Sequence, residues 1–229
     1  MALKIFFDSF SQPCRAVLVL LRANNIPFEK EIINIGKGEH FQSDSLAKVN
    51  PNKTVPSMDD GGFCLFESAA IMPYLVQKYN LPDHWYPSNV EKRIKVDQYL
   101  HWHASNLRWI ARVFFMKVIG KKMGREPNPA ALKVAEKTGT KAVNILDEFF
   151  LKDTKFISSD EISVADLQAL CEITQYWMIG QHLEADHPNI ERWIKDCQAE
   201  LSPHFDKVHK WVYYARDSNF FGDTQNSKL

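Results

Sequence analysis

The sequence has no excess charge of either sign, no long hydrophobic run and no cysteines grouped at metal-ligand spacing. Its 28 lysines and arginines balance 28 aspartates and glutamates, so neither a nucleic acid nor a membrane is expected as a partner. No apolar run approaches the roughly 18 residues of a membrane span, and no signal peptide is expected. Four widely separated cysteines predict a reduced, cytoplasmic protein without a bound metal: Cys14, Cys64, Cys171 and Cys197.

The first 79 residues alternate between strand and helix patterns in the order β-α-β-α-β-β-α. The segments, in chain order, are 3–7, 13–24, 28–35, 39–49, 54–58, 63–66 and 68–79. Asp59-Asp60-Gly61-Gly62 predicts a hairpin between the last two strands, and Pro73 predicts a kink in the last helix. This order is typical of a thioredoxin-like domain, which we predict for residues 1–79.

The rest of the chain is predicted to be helical. Residues 80–89 contain two prolines and no periodicity, and so predict a linker. An all-helical domain is then predicted for residues 90–229, frayed from about Phe220 onwards. Ser163 and Asp166 match a capping box at one helix start. The predicted helical segments are Val90–Ile119, Ala131–Phe150 and those that begin near Ser163, Pro188 and Pro203.

Ser11-Gln12-Pro13-Cys14-Arg15 lies where the first strand meets the first helix. Pro13 suits the first helical position, so the Ser11 hydroxyl and the Cys14 thiol are predicted near the positive end of that helix. Thiolates are stabilised in such a place, which favours sulfur chemistry. The alternative interpretation of Ser11 is a plain turn or capping serine.

Seven motifs together resemble the cytosolic glutathione transferases, and among them the theta class. The motifs are Ser11-Gln12-Pro13-Cys14-Arg15-Ala16-Val17, Lys37-Gly38-Glu39-His40, Asn50-Pro51 with Val55-Pro56, Glu67-Ser68-Ala69-Ala70-Ile71, Asp83-His84-Trp85-Tyr86-Pro87, Trp102-His103 with Arg108, and Ser163-Val164-Ala165-Asp166-Leu167. Each motif alone is weak, and their common order and spacing carry the resemblance. It implies the glutathione transferase fold, glutathione as a co-substrate without a tightly bound cofactor, and a homodimer.

In the theta class, the serine of the first motif stabilises the glutathione thiolate, so Ser11 is the implied catalytic residue. A free thiol has a pKa of about 8.5, and a hydroxyl that donates to the sulfur favours the reactive anion. The resemblance also implies a cis bond between Val55 and Pro56, which leaves the Val55 backbone open to pair with the cysteinyl part of glutathione. An ordinary edge-strand proline is the alternative.

Four further residues are implied to bind the charged ends of glutathione. Ser68, at a helix start, would bind the γ-glutamyl carboxylate, and Glu67 would accept from the ammonium. Lys53 and His40 would meet the glycyl carboxylate. A simple helix cap would also explain Glu67 and Ser68, and solvated surface charge would also explain Lys53 and His40.

The resemblance places the second substrate against the helical domain. Arg108 matches a theta-class arginine that assists the electrophile, for example by stabilising a leaving anion. Trp109, Phe115 and Met116 would line an apolar electrophile pocket. The alternatives are a surface arginine and aromatic residues that simply belong to the core.

The sequence departs from the theta pattern at three places. Ser105 stands where many members have an aspartate that reaches the glutathione ammonium across the dimer. Lys53-Thr54 replaces the two lysines of some members, so one positive charge is missing. The chain stops at Leu229, whereas many members have a longer C-terminal helix over the site, and this implies a more open pocket.

These residues predict conjugation of glutathione to small hydrophobic electrophiles, with peroxidase activity on organic hydroperoxides as the companion activity seen in theta relatives. Two other functions stay open. Ser11 to Cys14 has the spacing of a thioredoxin C-x-P-C motif without its first cysteine, so a thiol transferase that uses Cys14 is one alternative. A non-catalytic scaffold that binds apolar ligands or protein partners is the other.

Overall fold

A four-stranded sheet forms the centre of the N-terminal half in the computed structural model, which describes residues 2–222. The strands are β1 (Leu3–Phe7), β2 (Glu29–Ile32), β3 (Ser57–Asp60) and β4 (Phe63–Phe66). They lie in the order β2-β1-β3-β4, with β1 parallel to β2 and antiparallel to β3, and with β4 antiparallel to β3. This mixed sheet confirms the predicted thioredoxin-like domain.

Between residues 2 and 222, four α-helices accompany the sheet, and six form the helical half. The first four are α1 (Gln12–Ala23), α2 (Glu39–Gln42), α3 (Asp44–Val49) and α4 (Ser68–Lys78). The others are α5 (Val90–Ser105), α6 (Trp109–Phe114), α7 (Pro129–Ile145), α8 (Val164–Ile173), α9 (Pro188–Leu201) and α10 (His204–Asp217). Helical turns of other types extend three of them, namely Phe115–Gly120 after α6, Leu146–Phe150 after α7 and Thr174–Ile179 after α8.

The core of the molecule runs through both halves because α1 is shared between them. Nine of the twelve α1 residues are buried, since α4 packs on the helix from the N-terminal half and α8 and α10 pack on it from the helical half. A helix that is apolar around most of its circumference is suited to this central position. The two halves are therefore packed as one body around α1.

The predicted linker also holds the halves together. Its residues 83–85 form a short 3₁₀ turn. The buried Trp85 donates from Nε1 to Asn24 Oδ1 at the end of α1, over 3.1 Å. His84 Nδ1 lies 2.6 Å from the Ile162 carbonyl oxygen, just before α8. The segment thus contacts elements of both halves.

Two predicted helices are each divided by a polar side chain that bonds to the backbone. The segment 39–49 is split into α2 and α3 at Ser43, whose hydroxyl oxygen caps the first turn of α3. The segment Val90–Ile119 is broken after α5, where the Asn106 side chain donates to the Trp102 carbonyl over 2.9 Å. Such side-chain bonds compete with the backbone hydrogen bonds of a helix. The prediction of one continuous helix was therefore wrong for each of the two segments.

The strands around the hairpin are displaced from the predicted ones. β3 begins only at Ser57, because Pro56 has no N–H to donate to a neighbouring strand. Asp59 and Asp60 are still paired with β4, so the turn consists of Gly61-Gly62 alone. The hairpin itself is confirmed.

Three further predictions concern the helices. The capping box of α8 is confirmed, since the Ser163 N–H donates to Asp166 Oδ2 over 2.8 Å. Helix α4 continues through Pro73 as one element, and the kink there stays a prediction. Within residues 2–222, no helix has both the length and the apolar character of a membrane span.

The prediction that the chain frays from Phe220 onwards is wrong for Phe220 and Phe221. The Phe221 ring lies 5.6 Å from that of Phe10, and the Phe220 carbonyl accepts from Lys122 Nζ over 2.6 Å. The aromatic side chains have apolar partners there, which polar tail residues would lack. The end of the chain, 223–229, lies outside the described residues.

Candidate functional site

Ser11 occupies the N-cap position of α1, directly before the first helical residue. Its backbone is extended, and its side chain makes no capping bond to the helix. The residue is 8% exposed, and its N–H is held by the Asp8 carbonyl over 3.1 Å. The hydroxyl therefore lies on a fixed backbone at the positive end of a helix, and the helix itself does not require it as a cap.

Cys14, one turn further along α1, is completely buried. Burial raises the pKa of its thiol to about 12, because the charged form would lose its hydration. A thiol in this state is protonated near neutral pH and unreactive. The sulfur chemistry expected of this motif therefore has to come from a substrate thiol.

Arg15 fixes the loop in front of Ser11, a role that the sequence analysis did not assign to it. The side chain is fully buried. Its Nη1 donates to the carbonyls of Ser9 and Phe10 over 3.2 and 3.0 Å. Its Nη2 donates to the Cys171 carbonyl over 3.1 Å and to Gln175 Oε1 over 2.6 Å. One guanidinium thus joins the loop before Ser11 to α8 and the turn that follows it.

The Val55–Pro56 bond is cis, as the sequence analysis expected. Val55 is half-buried and Pro56 buried. Asn50 holds this loop from inside the protein, donating from Nδ2 to the Thr54 carbonyl over 3.1 Å and lying 3.0 Å from Ser57 Oγ. Within residues 2–222, no hydrogen bond to the Val55 backbone is formed, so its N–H and C=O are open to a ligand.

Glu67 and Ser68 stand at the start of α4 in contrasting environments. Glu67 is exposed and has a φ of 72°, a conformation that is unusual for a residue with a side chain. Ser68 is buried, and its hydroxyl donates to Gln168 Oε1 of α8 over 2.9 Å. Gln168 comes from 100 positions further along the chain, and the sequence analysis did not identify it.

Lys53 and His40 both contact Phe41, Lys53 at its carbonyl and His40 at its ring. Lys53 Nζ donates to that carbonyl over 2.8 Å. The His40 ring lies 3.9 Å from the Phe41 ring, and its Nδ1 is buried without a hydrogen-bond partner among the described residues. The structure therefore leaves one buried polar atom next to Phe41 without a partner among the described residues.

The sheet register brings three of these segments to the same end of the sheet. Phe6 near the end of β1 pairs with Ser57 at the start of β3, and Ser57 pairs with Phe66 at the end of β4. The loops that carry Ser11, Val55 and Glu67 therefore leave the sheet at the same end. Segments far apart in the sequence become neighbours in this way.

Arg108 is bound to a buried carboxylate of the helical half. Its Nη1 lies 2.8 and 3.1 Å from the two carboxylate oxygens of Glu172, and His103 Nε2 lies 3.4 Å from one of them. Burial alone would raise the pKa of Glu172, but Arg108 and His103 hold it below its usual value. The Arg108 side chain is still 37% exposed, so its guanidinium is anchored on one side and open on the other.

The predicted electrophile-pocket residues follow Arg108 on α6 and its extension. Trp109 is half-buried and donates from Nε1 to the Ser105 carbonyl over 3.0 Å, while the Arg112 guanidinium lies 4.3 Å from its ring centre. Met116 is half-buried, whereas Phe115 is 52% exposed. The three residues follow Arg108 along one helical segment, and Phe115 is the most exposed of them.

An aromatic cluster next to Ser11 was not predicted. The ring centres of Phe10, Phe114 and Phe221 lie 5.6 to 6.4 Å from one another. Phe114 also makes an edge contact with Tyr176 at 5.5 Å. Phe10 directly precedes Ser11 in the sequence, which was the only signal that could have pointed to this apolar wall.

Comparison with known proteins identifies the family. The family model for the glutathione S-transferase N-terminal domain matches residues 6–83, and that for the C-terminal domain matches residues 110–200. Mouse glutathione S-transferase theta-1 is 36% identical, over 95% of this chain and 91% of that protein. Arabidopsis thaliana glutathione S-transferase T1 is 35% identical over the same shares. The chain belongs to the theta class of the glutathione S-transferases.

Solved theta-class structures agree with this assignment. The apo form of human glutathione S-transferase T1-1 has a TM-score of 0.85 at 35% identity, over 94% of this chain and 91% of that chain. A human theta-class transferase in complex with the glutathione conjugate of 1-menaphthyl sulfate has a TM-score of 0.85 at 31% identity, over 96% and 92%. The predicted family, class and fold are confirmed, and with them the prediction of a transferase.

Proposed function

We propose that this theta-class chain transfers the thiolate of glutathione to small hydrophobic electrophiles, with Ser11 donating a hydrogen bond to the sulfur. The sulfur attacks an electrophilic carbon of the second substrate, and the leaving group departs with the bonding electrons. Hydrogen bonding and the helix end favour the thiolate over the thiol. Glutathione is the co-substrate.

The convergence of three loops at one end of the sheet is the observation that carries this proposal. Ser11, Val55 and Glu67 lie on these loops, and each matches a different part of glutathione. The open Val55 backbone suits the cysteinyl amide, and Glu67 with Ser68 suits the γ-glutamyl end. We assign His40 and Lys53 to the glycyl carboxylate.

For the second substrate we propose the surface formed by Arg108, Trp109, Phe115 and Met116. The open side of the anchored Arg108 guanidinium would stabilise an anionic leaving group. The cluster of Phe10, Phe114 and Phe221 adds apolar surface beside Ser11. Peroxidase activity, a cytoplasmic location and a homodimer belong to the same proposal and stay predictions.

The redox alternative is disfavoured by the state of Cys14. A thiol transferase needs an accessible thiolate, and Cys14 is both fully buried and held protonated by that burial. The scaffold alternative is disfavoured because a non-catalytic binder has no need of Ser11, Glu67 and Ser68 together. Transfer chemistry on bound glutathione is therefore the best-supported function.

An ultraviolet titration of enzyme-bound glutathione tests the role of Ser11. In the wild type, the thiolate absorbance should develop well below the free thiol pKa of about 8.5. Ser11→Ala should return the titration towards the free value and slow conjugation of an aryl halide. Ser9→Ala, two residues earlier in the same loop, serves as the matched control that should leave the titration unchanged.

Either of two results would contradict the proposal. An unshifted thiol in the wild type, with glutathione bound, would exclude thiolate stabilisation by this site. Loss of activity in Cys14→Ala, with Ser11→Ala unaffected, would instead favour the redox alternative.

A further inference from the structure

A basic cleft lies at the other end of α1 from Ser11. It has a volume of about 420 Å³ and is formed by the end of α1, the loop into β2 and the start of α10. At 1.5 Å of rise per residue, Arg22 is roughly 16 Å further along the helix axis than Ser11. The residues that line the cleft are Leu21, Arg22, Asn25, Ile26, Pro27, Phe28, Lys30, His204 and Lys207. The cleft is thus separate from the candidate glutathione site.

The lining combines basic side chains from three elements with no acidic one. Arg22 comes from α1, Lys30 from β2, and His204 and Lys207 from the first turn of α10. Among the described residues, none of the four has a carboxylate within 4.0 Å. Asp206, the acid adjacent to Lys207, accepts from the Tyr213 hydroxyl over 2.7 Å.

Lys30 lies over two aromatic rings and lines the same cleft as Arg22. Its Nζ lies 5.7 Å from the ring centre of Phe7 and 5.9 Å from that of Phe28. Partial burial lowers the pKa of Lys30, and the Arg22 charge lowers it further. Like charges near one another without a counterion raise the free energy of the empty cleft, and an anion would relieve this.

The remaining lining is apolar and comes from Leu21, Ile26, Pro27 and Phe28. Clefts of a few hundred Å³ accommodate small organic molecules. Paired cations suit a doubly charged oxyanion, and the planar guanidinium of Arg22 can donate two parallel hydrogen bonds to it. The apolar wall would receive the organic part of such a molecule.

We propose that this cleft binds a small organic phosphate monoester. The phosphate lies between Arg22, Lys30 and Lys207, and its aryl or alkyl group packs on Pro27 and Phe28. Binding here is independent of the proposed transfer reaction, because no residue of the cleft belongs to the glutathione site.

Calorimetric titration with 1-naphthyl phosphate tests this site directly. The glutathione and electrophile sites are first saturated with S-hexylglutathione, so that the remaining binding reports on the cleft. The wild type should bind the probe, and Arg22→Gln with Lys207→Gln should weaken binding by at least about tenfold, because each removes a charge-assisted hydrogen bond. Lys133→Gln, an exposed lysine of α7, is the matched control and should bind like the wild type.

Two comparison ligands separate the phosphate from the organic part. 1-Naphthol, which lacks the phosphate, should not compete, and inorganic phosphate should compete only weakly. Unchanged affinity in the double variant would overturn the proposal, and so would a wild type that fails to bind the probe at millimolar concentration. Circular dichroism shows whether the double variant is folded, so a result here does not depend on whether Ser11 activates glutathione.

Discussion

Acidification should destabilise this protein through His209, a buried residue of α10. The ring is 0% exposed and lies 3.9 Å from the Phe205 ring. Its Nδ1 donates to the Phe205 carbonyl over 3.0 Å, and its Nε2 lies 3.2 Å from the Thr174 hydroxyl oxygen. Burial lowers the pKa of His209 well below its usual 6.5, and the nearby Arg15 charge lowers it further. The folded protein therefore holds this imidazole neutral.

The size of the effect follows from the protons that each state binds. The unfolded chain takes up a proton at His209 below about pH 6.5, and the folded chain does not, so stability falls as the pH falls. Each pH unit between the two pKa values costs about 1.4 kcal/mol, so the loss between pH 6.5 and 5 is at most about 2 kcal/mol.

Urea unfolding of the wild type and His209→Gln measures this contribution. Both proteins are compared between about pH 7.5 and 5 at one protein concentration, since a dimer would make stability concentration-dependent. Gln can still donate to the Phe205 carbonyl but cannot take up a proton. The free energy of unfolding should decline more in the wild type than in the variant, by up to about 2 kcal/mol. Equal declines would refute the assignment of a neutral, buried His209.

Three other substitutions test the buried polar groups. Arg15→Lys should lower the free energy of unfolding by several kcal/mol. One ammonium cannot reach all four acceptors of Arg15, and each unsatisfied buried carbonyl costs about 1–3 kcal/mol. A melting temperature like that of the wild type would contradict this. Asp166→Ala should lower the free energy of unfolding by a similar amount, since it leaves the Trp193 Nε1 and backbone donors unpaired. Glu172 has a depressed pKa, so its ionised form stabilises the fold above its usual value of 4.5 and this contribution is lost as the pH falls below it. Glu172→Gln should thus flatten the decline of stability in acid, as followed by urea unfolding, and an unchanged decline would exclude the effect.

Elements whose signals are local were predictable from the sequence. The Ser163 and Asp166 capping box depends on residues three positions apart, and the structure contains it. The hairpin depends on the Gly61-Gly62 turn, and the cis bond at Pro56 on a family motif. The deciding contacts of the capping box and the hairpin lie within a few residues, whereas the cis bond was expected from the family resemblance.

Elements decided by competition or by distant contacts were not predictable. Asn106 suits a helix about as well as many residues do, and only its bond to the Trp102 carbonyl reveals the break. Phe220 follows a polar stretch, so nothing local pointed to its packing on Lys122.

The candidate site divides in the same way. Ser11, Val55 and Glu67 were predicted from motifs, and their assigned roles stay predictions. Their supports on the helical half, Gln168 and Gln175, lie more than 99 positions from the residues they contact. Helical periodicity shows which residues are apolar, but it does not show which buried amide meets which partner from another domain.

Because α1 is enclosed by both halves, neither half should fold when it is expressed alone. A fragment that ends before the linker would expose the apolar face of α1 and leave Arg15 without the Cys171 and Gln175 acceptors. A fragment that begins after the linker would have a cavity at the position that α1 occupies in the whole chain. Neither piece alone has a complete interior, so the two expressed together should associate, whereas each expressed separately should aggregate.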